Sequence, residues 1–295
     1  MSSALAAVVL AHDDPAKVHR LIAALDGVDI FLHCAANAQR EVARQILSDV
    51  GPNVQAIRRR RTDDSSWSLV EAELAGLELA LERSRAEHLI VMSGSCYPLI
   101  AVADLEDELA RWRGLSRLEL HPMPYRGWDT PRNPDGGLWR LRRRYLTVRG
   151  TIVRPRGVPV PTFRRPIPPE LCLHASSNWK ILARHHAAAL LRVLDERRDL
   201  VRFWSTTFQA VETCAASILR SPALVGRVAE EVRDDHPWYI DWGPGPRTHH
   251  PLWLTDRDFQ ALEAATAASP RKLFARKISS REGALLDRID EDLRA

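Results

Sequence analysis

The first 120 residues alternate between short apolar runs and longer segments in which apolar positions recur with the period of a helix. Four apolar runs predict buried strands, at residues 6–11, 28–33, 54–57 and 89–92. After the first run, Asp14 and Pro15 provide a helix cap and a first helical residue. Strands that alternate with helices indicate parallel pairing. The pattern therefore predicts an α/β fold, with a doubly wound, mostly parallel central sheet flanked by helices.

The stretch from residue 88 to residue 99 is the most informative part of this pattern. A run of four apolar residues stops at Ser93-Gly-Ser95 and continues into Tyr97-Pro98. Such a run is typical of a buried strand that ends in a tight turn. In open α/β sheets, ligands bind beyond the carboxyl ends of the strands. The pattern is compatible with a strand end that faces a ligand and equally with an ordinary turn.

The second half of the chain begins with a change of character at residues 122–169, which are rich in proline, arginine and tryptophan. A loop of this length is usually functional or partly mobile. Trp139 and the arginines at 140 and 142–144 predict a segment that binds phosphate or sugar, or else an exposed basic hairpin. Regular patterns then return. They predict strands at 176–182, 238–242 and 273–278, and helices at 185–194, 209–219, 255–268 and 282–294.

Composition excludes several classes of protein. A formal net charge of +4 suits an anionic ligand without requiring nucleic acid, and we interpret the arginine clusters at 58–61 and 140–144 as solvated faces. The four cysteines lack metal-ligand spacing and fit a reducing compartment. No signal peptide or membrane span is predicted, so we expect a cytoplasmic protein. Glycine motifs typical of dinucleotide enzymes and P-loop NTPases are missing.

Eight segments make the chain similar to the core-2/I-branching β-1,6-N-acetylglucosaminyltransferases, a family related to the catalytic domain of peptide O-xylosyltransferases. For example, Ser93-Gly-Ser-Cys-Tyr-Pro-Leu99 resembles the family signature Ser-Gly-x-Asp-Tyr-Pro-Leu. The eight segments, in family order, are residues 8–15, 30–33, 67–72, 93–99, 177–179, 211–219, 240–242, and 250–251 with 273–277. No single segment is specific, but their order and spacing together make the resemblance strong.

The resemblance implies one GT-A-type glycosyltransferase domain over residues 1–295. Its nucleotide-sugar-binding half would span about 1–120, and its acceptor-binding and catalytic half 121–295. It implies an inverting enzyme that moves a sugar, GlcNAc or xylose first among candidates, from a UDP-sugar to a hydroxyl of a carbohydrate or other acceptor. No metal and no other cofactor is expected. Neither a nucleic-acid partner nor an oligomeric state is predicted.

The same resemblance assigns roles to individual residues. An inverting transfer needs one general base, which the family pattern places at Glu212. Without a metal, cations must neutralise the departing diphosphate, and these match Lys277 with Arg276. Further donor-side positions are Arg247, His249, His12 and Ser93. Acceptor-side positions are Trp242, which would stack on a sugar ring, and Trp139, Arg140, Glu119, His121 and Trp179.

Three positions depart from the family pattern. Val211 stands where an acidic residue usually precedes the base, Ala35 follows Cys34 where an aspartate would contact the uridine side, and Cys96 replaces the acidic residue of the turn. The last two departures leave an alternative open, a non-catalytic relative that binds a nucleotide-sugar or a glycan. Because Cys96 has no carboxylate, we interpret the turn at 93–99 as scaffold and cleft floor.

Overall fold

The computed structural model describes residues 4–244 and 250–295. Its strands are β1 Leu5–Ala11, β2 Asp29–Cys34, β3 Val54–Ala56, β4 His88–Ser93, β5 Cys96–Pro98, β6 Ser116–Leu118, β7 His121–Pro122, β8 Arg143–Tyr145, β9 Thr147–Val148, β10 Thr151–Ile152, β11 Pro161–Arg164, β12 His174–Ala175, β13 Lys180–Ala183, β14 Val232–Asp234, β15 Trp238–Ile240 and β16 Phe274–Arg276. Its α-helices are α1 Pro15–Ala24, α2 Arg40–Leu47, α3 Trp67–Arg83, α4 Val102–Arg111, α5 Trp139–Arg142, α6 Arg184–Glu196, α7 Arg198–Trp204, α8 Cys214–Leu219, α9 Pro222–Val225, α10 Phe259–Ala267 and α11 Gly283–Arg288.

The central sheet has seven strands in the order β14-β6-β13-β4-β1-β2-β3. β1 pairs in parallel with β2 and β4, as β2 does with β3 and β14 with β6. β13 comes from the second half of the chain and runs antiparallel to both of its neighbours, β4 and β6. The predicted α/β fold with a mostly parallel sheet is therefore confirmed, with one antiparallel strand that the apolar pattern did not indicate.

Helices cover both faces of this sheet, which explains why its strands are apolar without interruption. Leu5, Ala7 and Val9 of β1 belong to one core with α1 and α4, whereas the alternate residues face a second core with α3 and α6. A Cβ at Gly76 of α3 would lie 2.3 Å from Val8 Cγ1, so glycine allows this helix to approach the sheet closely. The continuous apolar runs therefore reflect burial on two sides.

A buried ion pair joins the two halves of the chain across the second core. Lys180 of β13 donates to both carboxylate oxygens of Glu73 in α3, at 2.9 Å each, and both side chains are almost fully buried. Removing one partner of such a pair leaves an uncompensated buried charge, which is strongly destabilising. The pair therefore fixes β13 against α3, and with it residues 176–179, which precede β13.

The helix predicted over 209–219 is broken in the structure. Ala210–Glu212 forms a 3-10 turn, and α8 begins only at Cys214. Gln209 adopts a left-handed conformation with φ of 52°, and the Glu212 carbonyl accepts a bond of 2.8 Å from the Ser176 amide. In a continuous helix, that carbonyl would accept from the residue four positions later. Glu212 therefore lies on a turn, not on the apolar face of a helix.

Other boundaries differ less. Most of the predicted strand at 176–182 is loop, and the sheet strand is Lys180–Ala183. Thr255 and Asp258 form a capping box at the start of the helix predicted over 255–268, in which the Thr255 amide donates to Asp258 Oδ2 at 2.7 Å and a 3-10 turn leads into α10. Within residues 4–244 and 250–295, no helix is both long and apolar enough to cross a membrane.

Candidate active site

A cleft of about 220 Å³ lies at the carboxyl edge of the parallel strands. Glu119 follows β6 there, and residues 176–179 reach the same edge because the antiparallel β13 begins where β4 ends. The remaining wall comes from Asp64, from loops of the second half, and from β15 and β16. The lining side chains include Asp64, Glu119, Trp128, Asp129, Arg140, Ser177, Asn178, Trp179, Gln209, Glu212, Ile240, Trp242, His250 and Arg276. Ligands of open α/β proteins bind at this edge.

Glu212 and Arg140 form an ion pair inside this cleft. Arg140 Nη1 donates to Glu212 Oε2 at 2.6 Å, and the two side chains are 12% and 27% exposed. The 3-10 turn and the bond from the Ser176 amide hold the backbone of Glu212. Charge-assisted bonds of this kind fix geometry as well as adding energy. The carboxylate is therefore held at the cleft wall with one oxygen engaged by the arginine.

Aromatic rings support the guanidinium of Arg140. Its Cζ lies 4.0 Å from the centre of the Trp128 ring and 5.8 Å from that of Trp139. Arginine stacks well on aromatic faces because its planar charge is weakly hydrated. Arg140 therefore has a partner on each side, and the interpretation of the cluster at 140–144 as a solvated face is wrong for this residue.

Arg276 provides a second cation in the cleft. Its guanidinium donates to the Ser93 hydroxyl and, at 2.6 Å, to Ser95 Oγ, and it stacks 4.4 Å from the centre of the Trp179 ring. Burial lowers the pKa of Arg276. Among the described residues, no carboxylate forms an ion pair with it. A half-buried guanidinium held by neutral hydroxyls is suited to bind an anion.

The turn at Ser93–Pro98 supports the side chain of Arg276. Cys96 is fully buried, and its Sγ lies 3.4 Å from Ser93 Oγ. Lys17 of α1 donates from Nζ to the Cys96 carbonyl at 2.8 Å and lies 4.5 Å from the centre of the Tyr97 ring. Because Lys17 is buried, its pKa falls to about 7. The turn therefore positions Arg276 without contributing a carboxylate.

Comparison with known proteins identifies the family. The family model described as Core-2/I-Branching enzyme matches residues 29–263. The chain belongs to this family. Core-2/I-branching enzymes are glycosyltransferases, which supports a transferase with a nucleotide-sugar donor and an acceptor. The match spans the strands β2 to β15, so it includes every lining residue of the cleft except Arg276 of β16.

Solved structures and curated proteins add little to this assignment. A proposed glucose-1-phosphate thymidylyltransferase of Bacillus anthracis is 9% identical with a TM-score of 0.32, over 63% of this chain and 74% of that one. A 4-diphosphocytidyl-2C-methyl-D-erythritol synthase of Anaerococcus prevotii is 9% identical with a TM-score of 0.33, over 66% and 77%. No curated protein matches the chain.

The donor-side residues predicted from the family resemblance are distributed unevenly in this family member. Arg276 lines the cleft, and Ser93 lies beneath it as a hydrogen-bond partner. Lys277 lies outside the lining, with Nζ 4.4 Å from the centre of the Trp253 ring, and burial lowers its pKa. His12 is largely exposed and 3.6 Å from Asp13. Arg247 and His249 lie outside the described residues.

The acceptor-side residues divide in the same way. Arg140, Glu119, Trp179 and Trp242 line the cleft, and Glu119 is 2.9 Å from the ring of His121. His121 itself stacks on Tyr125 outside the lining. Trp139 faces Tyr145 and Phe208 on the other side of α5, and not the cleft. The structure thus places four of the six predicted acceptor contacts on one surface.

Several lining residues were not predicted from the sequence. Trp128, which stacks on Arg140, lies in the irregular segment where no periodic pattern marks it. Asp64 carries no signal beyond its position near a predicted element end, and Ser177 and Asn178 were marked only as members of the family-like segment 177–179. Arg59 donates to the Cys34 and Ala35 carbonyls at 3.2 and 2.9 Å, where the family pattern has an aspartate. Part of the 58–61 cluster is therefore structural.

One cluster of possible metal ligands occurs in the described ranges, and it lies away from the cleft. Its members are His185, His186 and Glu231, whose ligand atoms lie within 4.8 Å of one another. His186 already bonds Ser116 Oγ and the Val228 carbonyl, each at 2.8 Å. None of the three lines the cleft, so they have no direct part in its chemistry.

Proposed function

We propose that the protein is a metal-independent, inverting glycosyltransferase that moves a sugar from a UDP-sugar to an acceptor hydroxyl. GlcNAc and xylose are the first candidates for the sugar. The observation that carries the proposal is the pairing of two features in one cleft, a fixed carboxylate at Glu212 and a cation at Arg276 that has no carboxylate partner in the described part of the chain. A transfer of this kind needs a base at one end and positive charge at the other.

Glu212 is the general base of the proposed reaction. One carboxylate oxygen takes the proton of the acceptor hydroxyl as that oxygen attacks the anomeric carbon. Arg140 holds Oε2, so Oε1 is the oxygen turned to the acceptor. The bond between the anomeric carbon and the diphosphate breaks on the opposite face, and its electron pair leaves with UDP. Trp242, in the same lining, offers an aromatic face to the acceptor sugar.

Arg276 binds the leaving diphosphate, with Lys277 assisting from the adjacent position. Preorganised cations in a site sheltered from water stabilise developing negative charge more than they would in solution. The serines and Trp179 hold Arg276 before the donor arrives, so little reorganisation is needed. All four lining carboxylates, Asp64, Glu119, Asp129 and Glu212, already have arginine, histidine or amide partners, which favours neutralisation by arginine over a metal.

In this proposal the two halves of the chain have different functions. Residues 1–120 bind the nucleotide-sugar through the carboxyl ends of β1, β2 and β4. Residues 121–295 supply the base, the diphosphate cations and the acceptor wall. The ion pair between Glu73 and Lys180 keeps the halves in register, because it ties α3 to β13.

Replacement of Glu212 by Gln tests the proposal. Gln keeps the size and the bond to Arg140 but cannot take a proton, so we expect UDP binding to persist and transfer to fall at least about 100-fold. UDP release is measured with UDP-GlcNAc and UDP-xylose over a panel of glycan acceptors, with and without EDTA. Glu263→Gln, an exposed glutamate on α10, is the matched control and keeps full activity.

Two results would contradict the proposal. Transfer by Glu212→Gln at the wild-type rate would remove Glu212 from the role of base. Loss of UDP binding in EDTA would show that a metal, and not Arg276, carries the diphosphate. If the wild-type protein binds UDP-sugars but transfers to no acceptor of the panel, the non-catalytic alternative is correct.

A further inference from the structure

Residues 143–165, which we term the basic segment, have a composition unlike the rest of the chain. They contain seven arginines and no aspartate or glutamate. The arginines are Arg143, Arg144, Arg149, Arg154, Arg156, Arg164 and Arg165. No other stretch of this length in the chain is so strongly of one sign. A run of like charges this dense usually marks a surface for an anionic partner.

Most of this charge is not neutralised by the protein. Arg165 is bound to the Leu141 and Phe203 carbonyls, and Arg154 is paired with Asp63 at 2.7 Å. Over residues 4–244 and 250–295, the other five arginines form no ion pair with a carboxylate. They are exposed or half-buried. Five positive charges are therefore available to a partner.

Large apolar side chains are exposed on the same segment. Leu146, Val148, Val158 and Phe163 are 42%, 55%, 58% and 73% exposed, and they are four of the six large apolar side chains exposed in the described chain. Successive side chains of an extended strand point to opposite sides. Arg144, Leu146 and Val148 accordingly alternate with the buried Tyr145, so charge and apolar surface share one side.

The segment is held in place by the folded chain. The buried Ile152 donates its amide to Ser66 Oγ at 2.9 Å, and Tyr145 packs against Phe208. Antiparallel pairings of β8 with β11 and of β9 with β10 give it internal order. Exposure of the apolar side chains is therefore a property of a supported structure and not of an unpacked tail.

A basic cavity of about 420 Å³ lies at the base of the segment. Five exposed or half-buried arginines line it, namely Arg132, Arg142, Arg143, Arg164 and Arg165. Trp139 Nε1, a donor in the same wall, is buried with no acceptor among the described residues. One carboxylate, Asp135, lies 4.0 Å from Arg142. Donors in excess of acceptors suit a phosphate group, which arginine binds with two bonds at once.

We propose that the basic segment docks the protein on an anionic lipid bilayer. Phosphate headgroups enter the basic cavity, the free arginines face the anionic leaflet, and the four apolar side chains insert at the boundary of headgroups and acyl chains. Exposed aliphatic side chains are the feature that favours a bilayer over nucleic acid, because single-stranded nucleic acid is bound by stacked aromatic rings, and of the four only Phe163 has one. The proposal is independent of the reaction in the cleft.

Cosedimentation with vesicles tests this inference. The full-length protein is mixed with vesicles of phosphatidylglycerol and phosphatidylcholine, or of phosphatidylcholine alone, at low and high salt. We expect binding to the anionic vesicles, and release at high salt because exposed charges are screened. We expect a triple variant, termed the Arg143 variant, to have a vesicle–water partition coefficient that is roughly 100-fold lower. Its substitutions are Arg143→Gln, Arg144→Gln and Arg164→Gln. A second triple variant, termed the serine variant, should also have a lower partition coefficient although its net charge is unchanged. Its substitutions are Leu146→Ser, Val148→Ser and Phe163→Ser.

A matched control has the same charge loss on other surfaces, Arg40→Gln with Arg85→Gln and Arg257→Gln, and keeps wild-type binding. All variants substitute exposed or half-buried side chains, and circular dichroism checks that they fold. Equal binding of wild type and the Arg143 variant to anionic vesicles would overturn the proposal. Equal binding of the wild type to neutral and anionic vesicles would overturn it too. So would a wild type that binds no vesicles but binds single-stranded RNA, with that RNA binding lost in the variants. Self-association through this face, seen by light scattering and abolished by the serine variant, would also overturn it.

Discussion

Arginines of the cleft and arginines of the basic segment illustrate two uses of one side chain. Arg140 and Arg276 are each held by a specific bond and stacked on a tryptophan. Arg144 and Arg164 lie exposed, without carboxylate partners in the described chain, beside apolar side chains. A fixed guanidinium recognises one group in one position, whereas loose guanidiniums attract any anionic surface. Position in the fold, and not residue type, therefore separates the two roles.

This difference also predicts a different response to salt. Partly buried charges are screened much less than exposed ones. We therefore expect the proposed UDP binding at Arg276 to change little with ionic strength, and the proposed attachment through the basic segment to weaken strongly. Substitutions of arginines in the cleft, with controls in or next to the basic segment, test this difference between the two regions.

The largest expected effect comes from Arg276→Met. Met fills similar space but removes the charge that we propose binds the diphosphate, so we expect transfer to fall by about 100- to 1,000-fold, the scale for loss of one preorganised stabilising group. Calorimetry should show weaker UDP binding too. Arg144→Met, in the basic segment, is the control and leaves both quantities unchanged. An unaltered UDP affinity in Arg276→Met would place the diphosphate elsewhere.

A smaller effect is expected for Arg140→Met, because in the proposed reaction this residue positions the base Glu212 and does not contact the donor. Turnover should fall by about 10-fold, the worth of a charge-assisted bond, while UDP affinity stays the same. Arg142→Met lies two positions along the same short helix and is largely exposed, so it provides the control. If UDP affinity falls together with turnover, Arg140 contacts the donor and its assignment as a positioning residue is wrong.

The smallest functional effect is expected for Lys17→Met, which changes stability and not binding. Burial lowers the pKa of Lys17 to about 7, against 10.5 for an ordinary lysine. Between these pH values the unfolded chain holds a proton that the folded chain lacks, so wild-type stability rises with pH. Between pH 7 and pH 10.5, we expect the free energy of unfolding of the wild type to rise by on the order of 3 to 5 kcal/mol relative to that of Lys17→Met.

Urea unfolding at a series of pH values measures this gain. Below about pH 6 both states keep the proton, so the difference between the two proteins should be constant there. The other titrating groups are common to both proteins and cancel in the difference. A constant difference up to pH 10 would mean that Lys17 keeps its charge inside the fold, like the cleft arginines.

Much of the fold could be predicted from the sequence because its strands are buried on both faces. The runs around residues 6–11 and 89–92 could be recognised without knowing their neighbours, and Asp14 caps α1 as its spacing predicts, since its side chain accepts from the Lys17 amide at 3.2 Å. The antiparallel placement of β13 could not be predicted this way, because strand direction depends on where the chain enters the sheet.

The candidate site was predictable in its members but not in its arrangement. Family resemblance marked Glu212, Arg140 and Arg276 separately. The sequence pattern then favoured a continuous helix under Glu212, which is wrong, because the Ser176 amide takes the carbonyl that would extend that helix. Local propensity was overridden by a partner 36 positions away along the chain, and no local pattern records such a partner.

By itself, then, the sequence determined the alternation of strands and helices, the apolar faces and the helix caps, all of which depend on residues close together in the chain. Only the tertiary structure decided that Arg140 meets Glu212 across 72 positions and that Arg276 meets Ser93 across 183. It also separated Trp139 from the cleft while leaving Arg140 inside it. The physical reason is that burial follows a local period, whereas the partner of a charged side chain depends on which distant segments the fold brings together.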